Sequence, residues 1–330
     1  MADLTTSYMG LQLRNPIIVS SSDLTKSISS ITRCYEAGAG AVVLKSIFEE
    51  QFLEEGGVGR EGYTIHPEAR DYLQSGALLD YAPQKIYQVI EGAKKETSIP
   101  IIASINCQSP KLWPRFARQF QDAGADGLEL NIYFLPLDLD SPGSEYEEFH
   151  LQIMSEVKRA VSIPVSVKLI SQLTSISYLV SKLANAGCDG AVLFNWFLEP
   201  DINIENLKTR DIIGKGNFRQ SLKWAALLAG RVGCDIASSG GVRTADDVIK
   251  LILAGASAVQ ACSLFYQQGL EALKELLKGL EEWMDSHRYL KIGDFRGELS
   301  YKRQELSFKG VGEAGAYFRA QYLKTYSKIE

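Results

Sequence analysis

Eight short apolar runs, each followed by a stretch of helical periodicity, constrain this chain more than any other feature. The runs are PIIVSSS (16–22), AVVLKSI (41–47), PIIASIN (100–106), GLELNIY (127–133), PVSVKLI (164–170), GAVLFNW (190–196), DIASSGG (235–241) and SAVQACSLF (257–265). Between them lie amphipathic patterns such as SISSITRCYEAGAG, KLWPRFARQFQDAGADG, SYLVSKLANAGCDG and TADDVIKLILAGASA, which run into Ala-Gly followed by a small residue. That ending suits a helix closed by a left-handed glycine cap. Continuously apolar strands joined by helices imply a parallel sheet covered on its outer face, and eight such units imply a closed (β/α)8 TIM barrel. A doubly wound open sheet fits less well, because no Gly-x-Gly-x-x-Gly follows the first run.

Length does not demand a second domain, since barrels of this kind commonly reach ~250 residues. We read residues 1–330 as one domain, with LTTSYMGLQLRNP (4–16) as a hairpin over the barrel bottom and a C-terminal tail from about residue 290. The connections after strands two (48–82), four (134–147) and six (197–220) exceed the ~2 to 6 residues usual in α/β units. In a barrel all three lie at the strand C-termini, where substrates bind.

A composition of 45% hydrophobic and 23% charged residues supports a packed core, and a net charge of −5 gives no electrostatic reason to bind nucleic acid or an anionic membrane. The expected partner is a small molecule. Five dispersed cysteines (Cys34, Cys107, Cys188, Cys234, Cys262) suit reduced, buried thiols of a cytoplasmic protein, and the first ten residues lack the pattern of a secretion signal. The three histidines (His66, His150, His287) form no metal or nucleophile pattern and are expected at the surface, with His66 inside the long loop after strand two.

Polar residues stand at equivalent places near the C-terminal ends of the runs: Ser20 to Ser22, Lys45 and Ser46, Asn106, Asn131, Lys168, Asn195, and Ser239 with Gly240 and Gly241. Lysine and asparagine are rarely set into apolar strands without partners, because unpaired burial costs several kcal/mol. IASSGGVRTADDV and SAVQACSLF together suit a phosphate cradle after strands seven and eight.

Here the chain resembles the dihydroorotate dehydrogenase family of FMN-dependent barrels over nearly its whole length. The matching stretches are LRNPIIVSSS, VVLKS, ELN, VSVKL, GAVLFN, SSGGVRTADD, GASAVQACSLFYQQG and YLKIGDFRGEL. The resemblance implies FMN over the barrel mouth, with Ser20, Ser21, Lys45 and Ser46 beside the ring and Lys168 near its N1/C2 edge. It further implies that Ser239, Gly240, Gly241, Cys262 and Ser263 hold the phosphate, and that Asn131 and Asn195 bind a planar pyrimidine-like substrate. Hydride would pass from a substrate C–H to flavin N5, in pyrimidine biosynthesis, and the family suggests a homodimer. The family commonly has Gly-Thr where this chain has Cys262-Ser263, and Ser22 replaces a glycine.

The main departure follows Asn131. The family continues Asn-x-Ser-Cys-Pro-Asn or Asn-x-Ser-Ser-Pro-Asn, with cysteine or serine as the base; here Phe134 takes that place. The family's Asn-Ser-Met-Gly loop is also replaced, by HPEARDYLQSGALLDYA. Tyr133, Asp138, Asp140 and Ser141 are the remaining candidates for the base. Ser141 has the right chemistry but lies ten residues beyond Asn131 instead of three, and DLDSPG is an ordinary turn composition. Two other readings stay open. One is a flavin-free phosphate-binding isomerase or aldolase using Lys45 or Lys168 as base or Schiff-base amine. The other is an FMN holder without catalysis.

Overall fold

The computed structural model describes residues 2–49, 83–107, 110–134, 138–196, 198–213 and 217–303. All eight runs form strands: β1 (Ile17–Val19), β2 (Ala41–Val43), β3 (Ile101–Asn106), β4 (Gly127–Asn131), β5 (Val165–Leu169), β6 (Gly190–Leu193), β7 (Asp235–Ser239) and β8 (Ala258–Ala261). They pair in parallel in chain order, and β8 pairs back onto β1 through Val259↔Ile17, which closes the barrel. A short extension, Ile47–Phe48, continues beside β3 as far as Asn106.

The helices occupy the expected connections: α1 (Ile28–Ala37), α2 (Pro83–Glu96), α3 (Leu112–Asp122), α4 (Gly143–Ala160), α5 (Ile176–Asn185), α6 (Phe218–Leu228), α7 (Ala245–Ala254), a short α8 (Ser263–Gln268) and α9 (Glu271–His287). Helix α7 begins with a capping box in which the Thr244 side chain accepts from the Asp247 amide and Asp247 reaches back. It ends at Gly255, whose φ of 111° is the left-handed cap foreseen from its Ala-Gly ending. No helix among the described residues is long and apolar enough to cross a membrane.

Strand periodicity sorts the side chains into two cores. Ile17, Val19, Val42, Ile101, Ala103, Leu128, Leu130, Val165 and Val167 point outward against the helices. Ile18, Val43, Ile102, Val192, Ala237 and Ala258 point inward, where Tyr8, Met9 and Leu13 plug the barrel bottom. The plug is the expected hairpin, Thr6–Tyr8 paired antiparallel with Leu11–Leu13.

Three expectations change. Residues 198–213 within the connection after β6 are a second hairpin, Leu198–Asn203 against Lys208–Ile213, rather than an irregular loop. The start of the tail belongs to the barrel: α10 (Ile292–Phe295) buries Ile292 and Phe295, and Asp3 bridges Lys291. Residues 304–330, and the replaced loop at 66–82 with His66, lie outside the described residues. Finally, His150 is not at the surface but fully buried, while His287 is exposed and stacks on Trp283 at 4.3 Å. The five cysteines are free thiols.

Candidate active site at the barrel mouth

The inward period that sets Ile18, Val43, Ile102 and Ala258 in the lower layer sets Ser20, Lys45, Ser104 and Gln260 two residues further along. Glu129, Asn131 and Lys168 share that inner face, because Leu128, Leu130, Val167 and Leu169 face out. A TIM barrel interior is usually filled by branched apolar side chains. Here its upper layers are polar.

Lys168 donates to Ser20 Oγ (3.1 Å) and Gln260 Oε1 (3.2 Å), and its Nζ lies 3.6 Å from Glu129 Oε1. Gln260 Nε2 donates to Glu129 Oε2 at 2.5 Å, and Ser20 donates to Gln260 Oε1 at 3.1 Å. Lys45 makes a 2.5 Å ion pair with Asp23. Burial works to raise the Asp23 carboxyl, but the hydrogen bond and charge of Lys45, with Lys26 behind, outweigh it, so the group sits below the usual carboxylate range. Ser46 bonds Ser21 through both its amide (2.8 Å) and its hydroxyl (3.1 Å), and meets Ser104 at 2.8 Å.

Asn195 Nδ2 donates to Asn131 Oδ1 at 2.6 Å. An amide pair joined this way leaves the Asn131 NH2 group and the Asn195 carbonyl for a ligand, a donor and an acceptor side by side. Asn106 Nδ2 is buried with no hydrogen-bond partner among the described residues. An orphaned buried donor costs about 1–3 kcal/mol, and a bound polar molecule removes that cost.

The phosphate-cradle positions also converge. Gly240 and Gly241 have φ of 93° and 79°, and none of the described hydrogen bonds uses either amide. Their glycine identity has an internal reason as well: a Cβ on Gly240 would meet the Trp196 indole nitrogen at 2.0 Å, and one on Gly241 would meet the Phe218 backbone at 3.0 Å. Trp196 thus lies against the cradle. Ser239 serves it through its carbonyl, which accepts from Ser221 Oγ at 2.7 Å and the Trp196 indole at 3.4 Å. Cys262 and Ser263 stand at the start of α8. Burial pushes the Cys262 thiol up, against the lowering effect of Ser22 and Lys168, so it is not a ready thiolate.

Of the candidate bases, Asp138, Asp140 and Ser141 sit in the turn before α4 and do not join this group, while Tyr133 is buried two residues past β4. Phe134 turns onto α4, packing edge-on against Phe149 with centroids 4.5 Å apart. Ser141 donates to Asp138 Oδ2 at 3.1 Å, and Asp138 also accepts from the Asp140 amide, closing the turn before α4. Sequence reasoning missed Glu129, Gln260 and Asp23. The first two had a signal, a charged or amide residue inside an apolar strand and in step with Asn131 and Cys262; Asp23 opens a single 3-10 turn (Asp23–Thr25) after the first strand and had none.

A cavity of about 1020 Å³ opens at the opposite end, around Cys188, Cys234, Asp235 and Arg296. Its carboxylates are engaged, Asp235 by the Met9 amide and Ser257, and Asp189 by Lys158, so we place the chemistry at the mouth. No group of three or more possible metal ligands occurs among the described residues.

His150 packs beneath Phe134, with ring centroids 6.4 Å apart. Desolvation holds it down to about 4, although its hydrogen bond to the Tyr146 carbonyl opposes this. A histidine that stays neutral when folded but protonates near 6.5 when unfolded costs stability as pH falls from 6.5 to 4, on the order of 3 kcal/mol in all. We expect His150→Leu to flatten the fall of Tm across that window; an identical pH profile in variant and wild type would remove His150 as the cause.

Residues 3–284 match the sequence profile of the dihydroorotate dehydrogenase family. Among curated relatives, the catalytic subunit of dihydroorotate dehydrogenase B (NAD(+)) from Methanothermobacter thermautotrophicus is 28% identical over 305 residues, covering 89% of this chain and 97% of the relative. The subunit of the same name from Thermoplasma acidophilum is 26% identical over 312 residues, covering 90% and 99%. With a closed parallel barrel, a polar ring at its mouth and a profile match along most of its length, the chain belongs to the dihydroorotate dehydrogenase family.

Proposed function

We propose that this protein is an FMN-dependent oxidoreductase that removes hydride from a C–C unit of a small cyclic, dihydroorotate-like molecule. The observation that carries the reading is the Asn131–Asn195 amide pair at the barrel mouth, beside the Lys168 strand end and the unpartnered Asn106 amide. Family membership and the printed activity of the relatives support the same reaction class.

The residues present fit the cofactor. The amides of Gly240 and Gly241, unbonded among the described residues, suit one terminal phosphate together with Ser263 at the start of α8. The Asn106 amide and Ser20, Ser21 and Ser46, which follow β1 and β2, suit the polar edge of a flavin. When bound, FMN supplies the hydride acceptor. The protein's part is to hold two ammonium groups in place by carboxylates, Lys45 by Asp23 and Lys168 by Glu129. Asn131 and Asn195 orient a planar substrate through a donor and an acceptor on adjacent strand ends. A Schiff-base lysine is activated by an apolar or cationic surrounding, so these carboxylate partners disfavour the aldolase reading.

The names of the relatives, catalytic subunits of an NAD(+) enzyme, support a second chain that carries electrons onward; a homodimer of this chain is compatible with that arrangement. The cofactor assignment is tested by mass spectrometry of the small molecule released from purified protein. FMN is expected. Recovery of FAD, or a colourless protein that ignores added FMN, would overturn it.

A further inference from the structure

We infer that Glu129 is a positioning residue that sets how much of the Lys168 charge reaches the bound flavin, and so sets the flavin's reduction potential. The inference rests on the FMN reading above and adds a tuning element buried beneath it.

Glu129 is 1% exposed and has no route to solvent as a surface carboxylate would. Its Oε2 accepts from Gln260 Nε2, which fixes the orientation of that amide. The reversed amide would point its NH2 group at the Lys168 ammonium and its carbonyl at the Glu129 carboxylate, setting donor against donor and acceptor against acceptor. With Oε1 turned toward Lys168 and Ser20, Gln260 instead gathers both donors. The carboxylate therefore acts on Lys168 twice, through Gln260 and across 3.6 Å of protein interior.

Glu129 Oε1 has no hydrogen bond among the described residues, so Lys168 is attracted by the carboxylate without being bonded to it. Two of the three ammonium donors are held by Ser20 and Gln260, which keeps the nitrogen at the strand end rather than sunk onto Glu129. A cation placed there favours negative charge on a reduced cofactor. A buried anion beside the cation offsets part of that effect. Lys168 and Glu129 thus form a compensated pair whose residual field, rather than a full unit charge, acts on the mouth.

Glu129→Gln tests this cleanly, because glutamine keeps the shape and can still accept from Gln260 while losing the charge. Potentials of the FMN-loaded proteins are read by equilibration with reference dyes. In Glu129→Gln the preference for reduced over oxidised FMN is expected to rise by about tenfold, the scale of one partly screened unit charge, which is about 30 mV for a two-electron couple. Should that variant fail to fold, Lys168→Ala is compared with Lys168→Ala/Glu129→Gln, in which neither position of the pair carries a charge. The double variant is expected to have the higher potential of the two. Equal potentials in wild type and Glu129→Gln, or in the second pair, with a change only in Tm, would make Glu129 structural and overturn the proposal while leaving the FMN reading intact. Wild-type protein that takes up no FMN would overturn both.

Discussion

Dihydroorotate is expected to reduce the flavin of this protein about 10²–10⁴-fold more slowly than it reduces that of a relative with cysteine or serine after the substrate-binding asparagine, the contribution usual for a positioned general base. The geometry explains why. Phe134 stands at the base position and lies against Phe149 on α4, so it supplies no proton acceptor. Ser141 is committed to Asp138 in the turn before α4, in line with the turn composition of DLDSPG. Anaerobic stopped-flow reduction measures the effect directly. A rate within about tenfold of such a relative would refute it, and survival of that rate in Ser141→Ala would also exclude Ser141 as the base. If the slow rate holds while a less polar cyclic substrate reduces the flavin quickly, the amide pair and the hydride chemistry stand and only the substrate changes.

Lys168→Ala should lower stability by about 3–5 kcal/mol, the loss usual when one partner of a buried ion pair is removed. The Lys168 and Glu129 side chains are 7% and 1% exposed. Alanine leaves Glu129 a buried carboxylate with one hydrogen bond, and it leaves Ser20 and Gln260 Oε1 without their cationic donor. Adding Glu129→Gln should recover most of the loss, since a neutral amide needs no counter-charge. Urea denaturation of the two variants and wild type decides it. A Lys168→Ala midpoint within error of wild type would mean that water reaches Glu129 and that the pair is not a buried one. The same variant should lower the reduction potential more than it lowers FMN retention, because the proposed cradle at Gly240 and Gly241 does not depend on the Lys168 charge.

Much of the barrel is legible in the sequence. Strand period and helix period are local properties, and a run such as PVSVKLI reports its strand through β-branched residues that favour a pleated, buried setting. Capping is equally local: the Ala-Gly endings of α1 and α7 marked Gly38 and Gly255, both in the left-handed conformation. The hairpin after β6 was missed because Pro200 demotes LEPDIN as a strand and KTRDII has no period-two alternation, so both read as loop. His150 was misplaced because its polar character was weighed above its position; it stands three, four and seven residues before Ile153, Met154 and Val157, on the face that α4 buries.

The same division runs through the site. The sequence by itself determined that polar residues recur at the ends of seven of the eight strands, because register along a strand is set two residues at a time. Only the tertiary structure decided which of them meet. Closure brings Gln260, on the last strand, across the barrel to Glu129, 131 positions away, and Ser20 to Lys168, 148 positions away. It likewise turned Phe134 onto α4 and laid Trp196 against Gly240. Such pairings depend on barrel closure and side-chain direction. Both are properties of the whole packed molecule, and no window of sequence contains them.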